Sequence, residues 1–398
     1  MAVIVAVAMI TSCSKDNDYE PKPLNLPLKT AQVINADNTF GLDLYAKLAA
    51  TALPGTNLMI SPLSVSQALS MTYNGANGET KIAMEKALRI AGYDRDELNE
   101  LNKTLITALV AHDEKVIVTV ANSIWYRQEY TVLSDFITRN KTYYDAEVRP
   151  VDFTAADCKD VINSWVSDKT NKKITKIVDQ INPESFMYLI NAIYFKGVWT
   201  NEFDVKKTSQ QPFYLEDGKE VQVDMMHQEM HLNMFANETF TSVELPYGKG
   251  NWRMFLFLPE TGKTVADVEK TLTAENWDGW LTQYQSYSGV QFSLPKFTFS
   301  YEESLKDALS AMGMEVAFTE LADFTGILPQ GGLLITGVKH KTFIEVNEEG
   351  TEAAAVTSVE MGTTSVGNFI AFNKPFLFAI AEKSTGTILF VGRMMLPM

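Results

Sequence analysis

The stretch that decides the fold is EEGTEAAAVTSVEMGTTS, residues 348–365, near the C-terminus. It lies between two runs typical of β-strands, KTFIEV (residues 341–346) and PFLFAIAE (residues 375–382). Its small side chains are typical of a loop, and accessible loops of this composition are where proteases cut. From Thr351 onward, however, its residues alternate as those of a half-buried strand do. The segment therefore combines the features of an exposed loop with those of a buried strand.

The two-residue period of a strand divides this segment into two faces. One face is uncharged and consists of small or apolar residues: Thr351, Ala353, Ala355, Thr357, Val359 and Met361. The opposite face consists of Glu352, Ala354, Val356, Ser358, Glu360 and Gly362. It therefore carries both acidic residues of the segment 351–362. As a strand, residues 350–364 would span about 50 Å at ~3.3 Å per residue. A compact chain of this size is about 55 Å across. The pattern predicts a segment that could cross the whole molecule within a sheet, and an ordinary surface strand or loop is the alternative.

Composition and motifs exclude several classes of function. Of the 398 residues, 46% are hydrophobic and 21% are charged, as is usual for a folded protein with a large core. The net charge of −15 argues against a nucleic-acid partner, because phosphate binding needs clustered Lys and Arg. No Gly-rich phosphate loop, G-x-S-x-G or C-x-x-C motif is present. His227 and His231 are four apart but lack a clear third metal ligand. We expect a protein that is not an enzyme and that needs no metal or cofactor.

The N-terminus indicates export. Residues 2–10, AVIVAVAMI, form an apolar run too short to span a bilayer. The following ITSC resembles the lipobox of a bacterial lipoprotein, with Cys13 as the acylated residue, and the acidic residues after it resemble the export signal of surface lipoproteins. We expect a signal peptide at 1–12, an acidic, Pro-rich tether at 13–30, and a lipid-anchored protein of the cell envelope, at the outer-membrane surface or secreted. A cleaved secretory signal with an incidental cysteine is the alternative.

The order of helical and strand patterns indicates the fold class. Helical patterns dominate up to about residue 110, and strands dominate beyond about residue 185. Asp37 or Asn38 is predicted to cap the first helix, and Ser61, followed by a proline, to cap the second. Helices early and strands late, without regular βαβ alternation, predict an α+β domain that begins near residue 31.

Motifs in a fixed order identify a family. The segment EEGTEAAAVT resembles the hinge of an inhibitory serpin, and FNKPFLFAIAEKSTGTILFVGRMMLP resembles the serpin C-terminal signature. Further matches occur in order along the chain: ISPLSVSQALSMTYNGANGET, ANSIWY, VDF, INSWVSDKTNKKI, LINAIYFKGVWTNEF and VELPYG. From about residue 31 to its end, the chain resembles a bacterial, lipoprotein-type inhibitory serpin. The resemblance implies one domain over 31–398, with three β-sheets, eight or nine helices and an exposed reactive-centre loop at about 348–371.

The resemblance also implies a mechanism. A serpin acts as a suicide substrate: the protease cuts the loop and forms an acyl-enzyme, and the freed segment then enters the central sheet as a new strand and distorts the protease. Counting forward from Gly350 and back from Phe372 places the reactive bond at Thr364–Ser365 in both cases. The hinge residues are small enough to enter a sheet: Gly350, Thr351, Ala353 and Ala355. This favours an inhibitor over a non-inhibitory serpin-fold binding module that is cleaved as a simple substrate.

Other serpin positions carry over one at a time. A polar cluster where the central sheet opens is matched by Ser61, Ser64, Asn191 and His340. These residues would also serve as an ordinary buried hydrogen-bond network. Glu348 and Lys296 match an ion pair near the point of insertion, and Trp199 matches the aromatic residue beside it.

The reactive bond implies a class of target. Thr364 is small and β-branched, and it suits the shallow pocket of an elastase-like serine protease, with subtilisin-like proteases as the next candidates. Val359, Met361 and Val366 are alternative bait sites in the same loop. We expect a monomer with a protease partner and no nucleic acid, which meets the membrane only through its lipid anchor.

Overall fold

The computed structural model describes residues 21–182, 184–351 and 369–397. The predicted signal peptide, Cys13, the hinge residues Ala353 and Ala355, the bond Thr364–Ser365 and the alternative bait sites lie outside the described residues. The remaining predicted site residues lie within them.

The described chain begins with helices and continues mainly as strands. Its α-helices are α1 (Leu28–Thr51), α2 (Pro62–Tyr73), α3 (Gly78–Ala87), α4 (Arg95–Val110), α5 (Ser134–Tyr144), α6 (Cys158–Lys169), α7 (Val265–Glu269), α8 (Ala274–Leu281) and α9 (Lys306–Leu309). Short 3-10 turns occur at Val205–Lys207 and Glu315–Phe318, and a π turn at Ser310–Met314.

The strands are β1 (Leu58–Ile60), β2 (Val116–Arg127), β3 (Glu147–Val151), β4 (Met187–Val198), β5 (Ser209–Tyr214), β6 (Glu220–Ala236), β7 (Phe240–Tyr247), β8 (Trp252–Pro259), β9 (Gln285–Pro295), β10 (Phe297–Ser304), β11 (Lys339–Asn347), β12 (Gly350–Thr351), β13 (Phe369–Ala371), β14 (Phe376–Glu382) and β15 (Ile388–Met394). Helices thus predominate before β4 and strands predominate from β4 onward, without regular βαβ alternation, as the α+β prediction expects.

The sheet that matters for the site has six strands in the order β10-β11-β12-β4-β2-β3, and we call it the central sheet. The two-residue strand β12 lies between β11 and β4 and pairs with both in antiparallel register. Among the described strands, β4 and β11 are joined through β12 and are not paired with each other. Helix α6 packs on one face of this sheet, where Ile162 and Val166 meet Ile190 and Ala192. Among the described residues, the strand pairing between β11 and β4 therefore runs through Gly350 and Thr351.

The second sheet has nine strands, with the path β1-β15-β14-β8-β7-β6-β9-β13 and β5 paired to β6. The long strand β6 changes partners along its length, and a register shift with β9 occurs between Met230 and Leu232. The third sheet expected from the sequence is continuous with this one through β6 and β9. Residues 369–371, placed at the end of the reactive-centre loop from sequence, form β13 and pair in parallel with β9.

Helix α2 shows how local sequence determines an element. Ser61 has extended backbone angles, and its side chain accepts a hydrogen bond from the Ser64 N–H, while Pro62 occupies the first turn. The helix is buried along nearly its whole length behind the central sheet. The predicted cap is confirmed.

The predicted cap of the first helix is wrong. Helix α1 begins at Leu28, so Asp37 and Asn38 lie in its interior. Asn38 donates from Nδ2 to the Gly386 carbonyl at 2.9 Å and accepts from the Ile388 N–H at 3.0 Å. Asp37 accepts a hydrogen bond from the Ser66 hydroxyl, and burial raises its pKa to about 7. These residues resemble caps locally, but their partners are distant in sequence.

The chain before α1 lies against the body of the protein. The Lys22 N–H donates to Asn251 Oδ1 at 2.7 Å, and the Leu24 N–H donates to Ser384 Oγ at 2.9 Å. Leu24 and Leu26 are half-buried against the core. We call residues 21–27 the N-terminal strap. The last part of the predicted tether at 13–30 is therefore in contact with the domain.

Candidate functional site

The site centres on β12, the start of the predicted hinge. Gly350 is opposite Asn347 of β11 and Val198 of β4, and Thr351 is opposite Val346 and Gly197. Both hinge residues are buried, whereas the sequence places them at the start of an exposed loop. A narrow cavity of about 10 Å³ lies beside Thr351 between β4, β11 and the chain after α6. The hinge thus already occupies the first two positions of a strand between β4 and β11.

Only glycine fits at position 350. Its φ is +150°, and an added Cβ would lie 2.1 Å from the carbonyl oxygen of Gly197 and 2.7 Å from Cα of Val198. Gly197 is constrained in turn, because its own Cβ would lie 2.8 Å from the ring of Tyr247. The two glycines allow the backbones of β12 and β4 to approach closely.

Tyr247 connects the hinge to the second sheet. Its hydroxyl is 2.7 Å from Oγ1 of Thr351, and its ring stacks on Trp199 with centroids 4.3 Å apart and planes at 13°. Burial raises the pKa of Tyr247, so the hydroxyl stays neutral and can donate or accept. The contact fixes the side chain of Thr351 on the inner face of the sheet.

Trp199 holds the main chain just before β12. Its indole Nε1 donates to the Asn347 carbonyl at 2.9 Å, and its backbone N–H donates to the Glu349 carbonyl at 2.7 Å. The Phe203 N–H donates to the Glu348 carbonyl at 2.8 Å. Three consecutive carbonyls before the hinge are therefore anchored to the chain that follows β4.

The structure brings the predicted ion pair together. Nζ of Lys296 is 3.0 Å from Oε2 of Glu348, and the Thr208 hydroxyl donates to Oε1 at 2.7 Å. Burial alone would raise the pKa of Glu348, but the hydrogen bonds from Thr208 and Lys296 outweigh it and lower the pKa. Glu348 is therefore a carboxylate at neutral pH, bonded to Thr208 just before β5 and to Lys296 between β9 and β10.

The predicted polar cluster also assembles, below the hinge. Nε2 of His340 on β11 accepts a hydrogen bond from the Ser61 N–H at 3.0 Å. On the other side, the Ser64 hydroxyl donates to Oδ1 of Asn191 on β4. Burial lowers the pKa of His340 to about 4, so its ring is neutral near pH 7. Ser61 at the start of α2 and Ser64 within it thus bond to β11 and β4, the two strands that flank β12.

Sequence reasoning missed several residues of this site. Asn122 of β2 accepts from Nδ2 of Asn191 at 2.6 Å and extends the polar cluster across the sheet. Tyr247 and Thr208 contact the hinge and Glu348 directly. Asn122 and Tyr247 lie in ANSIWY and VELPYG, motifs that supported the family resemblance, so the signal was present without an assigned role.

The two histidines that are four residues apart in sequence lie on a strand and not on a helix face. His227 and His231 lie on strand β6 and contact serine hydroxyls, at 2.7 Å from Ser293 and 2.5 Å from Ser286. Within the described residues, no group of three or more His, Cys, Asp or Glu is arranged to hold a metal ion. Within the same residues, every helix is too short or too polar to cross a membrane.

Comparison with known proteins gives the family. The family model described as serpin (serine protease inhibitor) matches residues 35–397. The chain belongs to the serpin family. It is 34% identical to an uncharacterized serpin-like protein of Thermococcus kodakarensis, over 92% of this chain and 86% of that protein. It is 33% identical to human Serpin B10, over 90% of this chain and 98% of that protein.

Solved serpin structures have the same fold. The native state of the thermophilic serpin tengpin aligns with a TM-score of 0.84 at 32% identity, covering 94% of this chain and 96% of that one. Human thyroxine-binding globulin in its thyroxine complex aligns with a TM-score of 0.84 at 30% identity, covering 92% and 99%. The predicted serpin fold is confirmed. The family includes protease inhibitors and a thyroxine-binding globulin, so membership by itself indicates protease inhibition only in general terms.

Proposed function

We propose that this serpin is a suicide-substrate inhibitor of serine proteases. The observation that carries the proposal is β12: Gly350 and Thr351 already pair with β4 and β11 in strand register. A loop whose first two residues lie in the sheet needs no separate nucleation step before the rest follows, because each further residue adds hydrogen bonds next to an existing pair.

The inward face of the loop suits the same function. The residues that would follow Thr351 on that face, Ala353 and Ala355, are small and uncharged. Burial of a charged or large side chain there would oppose insertion, since unpaired buried charge is costly. The outward face carries Glu352 and Glu360. Insertion therefore buries the apolar face and leaves both acids on the other.

We propose Thr364–Ser365 as the reactive bond and elastase-like proteases as the targets. A small, β-branched Thr364 fills a shallow primary pocket, whereas trypsin-like enzymes need Lys or Arg, which the loop lacks. Subtilisin-like enzymes are the second class.

The test mixes the chain with pancreatic elastase and follows the products by denaturing gels and mass spectrometry. We expect a denaturant-stable adduct and a released peptide that begins at Ser365. We also expect the cleaved form to unfold at a higher temperature than the intact form, because insertion adds a full strand to the central sheet. Complete cleavage without adduct or thermal shift, with both elastase and subtilisin, would establish a simple substrate and refute the proposal.

A retargeting variant separates protease recognition from trapping. Thr364→Arg should lose reaction with elastase and gain adduct formation with trypsin. The substitution changes the residue that enters the primary pocket of the protease and leaves the hinge intact. Thr364→Ser serves as the matched control and should keep elastase as its target. Trypsin cleavage of Thr364→Arg without adduct would count against the trapping step.

We also propose that Cys13 carries a lipid that anchors the protein at the cell envelope. The support is the apolar run followed by ITSC and acidic residues. Metabolic labelling with an alkyne fatty acid in a Gram-negative host should label the wild type and leave Cys13→Ser unlabelled and released. Equal labelling of both chains would refute lipidation at Cys13.

A further inference from the structure

Helix α2 is a buried helix whose polar side chains bond to several different elements. Towards the central sheet, Ser61 and Ser64 bond to β11 and β4. Away from the sheet, Nε2 of Gln67 donates a hydrogen bond to Oδ1 of Asn102 on α4 at 3.0 Å. A further bond reaches helix α1. The position of α2 is therefore determined by side-chain hydrogen bonds to strands on one side and to helices on the other.

The bond to α1 is made by the carboxyl group of Asp37. Its Oδ1 accepts a hydrogen bond from the Ser66 hydroxyl of α2. Asp37 is only 3% exposed, and its second oxygen, Oδ2, is buried without a hydrogen-bond partner among the described residues. Within the same residues, no Lys, Arg or His side chain forms an ion pair with Asp37. One hydroxyl is therefore the support that this carboxyl group receives from the described chain.

Charged side chains on the elements around Asp37 have other partners. Helix α1 packs on α2, α4, α8, α9 and β15. The contacts of these charged groups are Lys29 with Glu97 of α4, Asp43 with Arg89, Arg393 of β15 with Glu269, Asp278 of α8 with Asn35, and Lys306 of α9 with the ring of Phe318. Tyr144 of α5 faces Asp37, and burial raises the pKa of Tyr144, so its hydroxyl is neutral. Among the described residues, a carboxylate at position 37 would therefore lack a compensating cation.

This environment favours the neutral acid. A buried charge without a cation is costly, so the group keeps its proton to a higher pH than it would in water. Burial raises the pKa of Asp37 from 3.8 to about 7, although the hydrogen bond from Ser66 opposes part of that rise. Near neutral pH the side chain therefore changes between an acid that fits its site and a carboxylate that does not. Separation of α1 from α2 would relieve the charge, because water could then reach the carboxylate.

We propose that Asp37 is a proton-dependent positioning residue for helix α2. In its neutral form it holds α2 against α1, and α2 in turn holds β11 and β4 through Ser61 and Ser64. Ionisation of Asp37 loosens the contact between the two helices, and the two strands are then held less firmly. Through this residue, the intact fold loosens as the pH rises through neutrality. An inhibitor built in this way opens its central sheet more readily above neutral pH than below it, a consequence that rests on the proposed function.

The first experiment compares the wild type with Asp37→Asn in the full chain. Asparagine keeps the shape of the side chain and can accept from Ser66, but it cannot ionise. Urea unfolding at pH 5.5 and 8.5 gives the ratio of the unfolding equilibrium constants of the two chains, in which other titrating groups cancel. The folded state keeps the proton up to about pH 7 and the unfolded state loses it near pH 3.8, so the wild type loses stability as the pH rises.

We expect the ratio of wild type to Asp37→Asn to rise by about tenfold or more between pH 5.5 and 8.5. Asp43→Asn is the matched control, because Asp43 lies on the same helix and pairs with Arg89 at the surface. The corresponding ratio for Asp43→Asn should stay nearly constant. A constant ratio for Asp37→Asn as well would overturn the proposal.

A second measurement tests whether the effect reaches the central sheet. Hydrogen exchange of the backbone amides of β4 and β11 is compared between the wild type and Asp37→Asn at the same pH, so that the intrinsic exchange rates cancel. At pH 8.5 we expect exchange in both strands to be about fivefold or more faster in the wild type, and at pH 5.5 we expect equal rates. A difference confined to α1 would overturn the positioning of α2 by Asp37.

A third variant, Ser66→Ala, alters the partner and leaves the carboxyl group in place. It removes the hydroxyl that favours the carboxylate, so the pH at which the wild-type stability changes should move upward by about half a unit or more. The same substitution in the Asp37→Asn background should leave the pH dependence of stability unchanged. A midpoint that does not move in the presence of Asp37 would count against the contact between Asp37 and Ser66 as the site of the effect.

These measurements use no protease, so their outcome is separate from that of the proposed function. A chain that traps elastase but shows a constant ratio for Asp37→Asn would overturn the role of Asp37 and leave the inhibitor intact. A chain that is cut without adduct but shows the expected ratio and exchange would overturn the inhibitor and support the role of Asp37.

Discussion

Replacement of Gly350 by alanine is the most direct test of the inserted hinge. The new Cβ would lie 2.1 Å from the Gly197 carbonyl oxygen, a backbone atom that cannot move aside without breaking the ladder. The positive φ of +150° is also unfavourable for alanine. We expect Gly350→Ala to expel β12 from between β4 and β11 while the remaining elements fold normally.

The cost can be worked from the contacts that are lost. Expulsion breaks the ladder of Gly350 and Thr351 with both neighbours, together with the hydrogen bond between Thr351 and Tyr247. At about 1 kcal/mol per hydrogen bond, this is about 3–5 kcal/mol. The backbone entropy regained by two residues offsets about 2–4 kcal/mol. The free energy of unfolding should therefore fall by about 1 kcal/mol, which is about a degree or two in unfolding temperature.

The assay combines thermal unfolding with the stoichiometry of inhibition. A hinge that starts outside the sheet must first nucleate insertion, so insertion of the cleaved loop is slower. A larger fraction of the acyl-enzyme is then hydrolysed before the protease is trapped, and more inhibitor is consumed per protease molecule trapped. Gly279→Ala is the matched control, because its new Cβ on α8 would meet no atom within 4 Å. If Gly350→Ala and Gly279→Ala unfold at the same temperature and inhibit with the same stoichiometry, the reasoning about β12 is refuted.

Three further predictions follow from the contacts around the hinge and the strap. Tyr247→Phe removes the hydroxyl bonded to Thr351 but keeps the stacking on Trp199, so calorimetry should show that the free energy of unfolding falls by about 1 kcal/mol. Tyr247→Ala removes the ring as well and should cost more, so equal losses for the two variants would refute separate contributions from the hydroxyl and the ring. Burial lowers the pKa of His340 to about 4, below the ordinary value near 6.5, so the folded state favours the neutral ring. The contribution of the neutral ring to the free energy of unfolding is fully present above pH 6.5. It falls by ~3 kcal/mol at most as the pH drops from 6.5 towards 4. Urea titrations at several pH values, taken as the difference between the wild type and His340→Gln, should show this loss, and a difference that is flat between pH 7 and 4 would refute it; other titrating groups, such as Asp37, cancel in that difference. Leu24→Asp should release the N-terminal strap and lower the free energy of unfolding by about 1 kcal/mol, because a half-buried apolar contact is lost; Asn25→Asp, at an exposed position, should change it little, and equal effects of the two would argue that the strap contributes no stability.

Sequence reasoning succeeded where the determinants are local. The Ser61 cap, followed by Pro62, depends on residues within one turn, and the structure has it. It failed for Asp37 and Asn38, which look like caps but bond to Ser66, Gly386 and Ile388 across the fold. A pattern within one segment carries no information about such distant partners.

The hinge shows that sequence reasoning has the same limit at the functional site. Its small residues predicted a segment able to enter a sheet, but the sequence could not indicate that Gly350 and Thr351 are already paired. The balance between docked and exposed hinge depends on a few hydrogen bonds, and one of them comes from Tyr247, more than a hundred residues away. Family motifs located the neighbourhood, and only the folded chain shows which side chains meet there.

The N-terminal strap has a consequence for reach. Nine residue steps separate Cys13 from Lys22, the first strap residue bonded to the domain, and they extend to about 30 Å at most. A free chain up to Leu28, where α1 begins, would extend to about 50 Å. With the proposed lipid on Cys13, docking of the strap shortens the greatest distance between anchor and domain by about 20 Å. The inhibitor would then intercept proteases working close against the membrane, and those at greater distance would pass beyond its range.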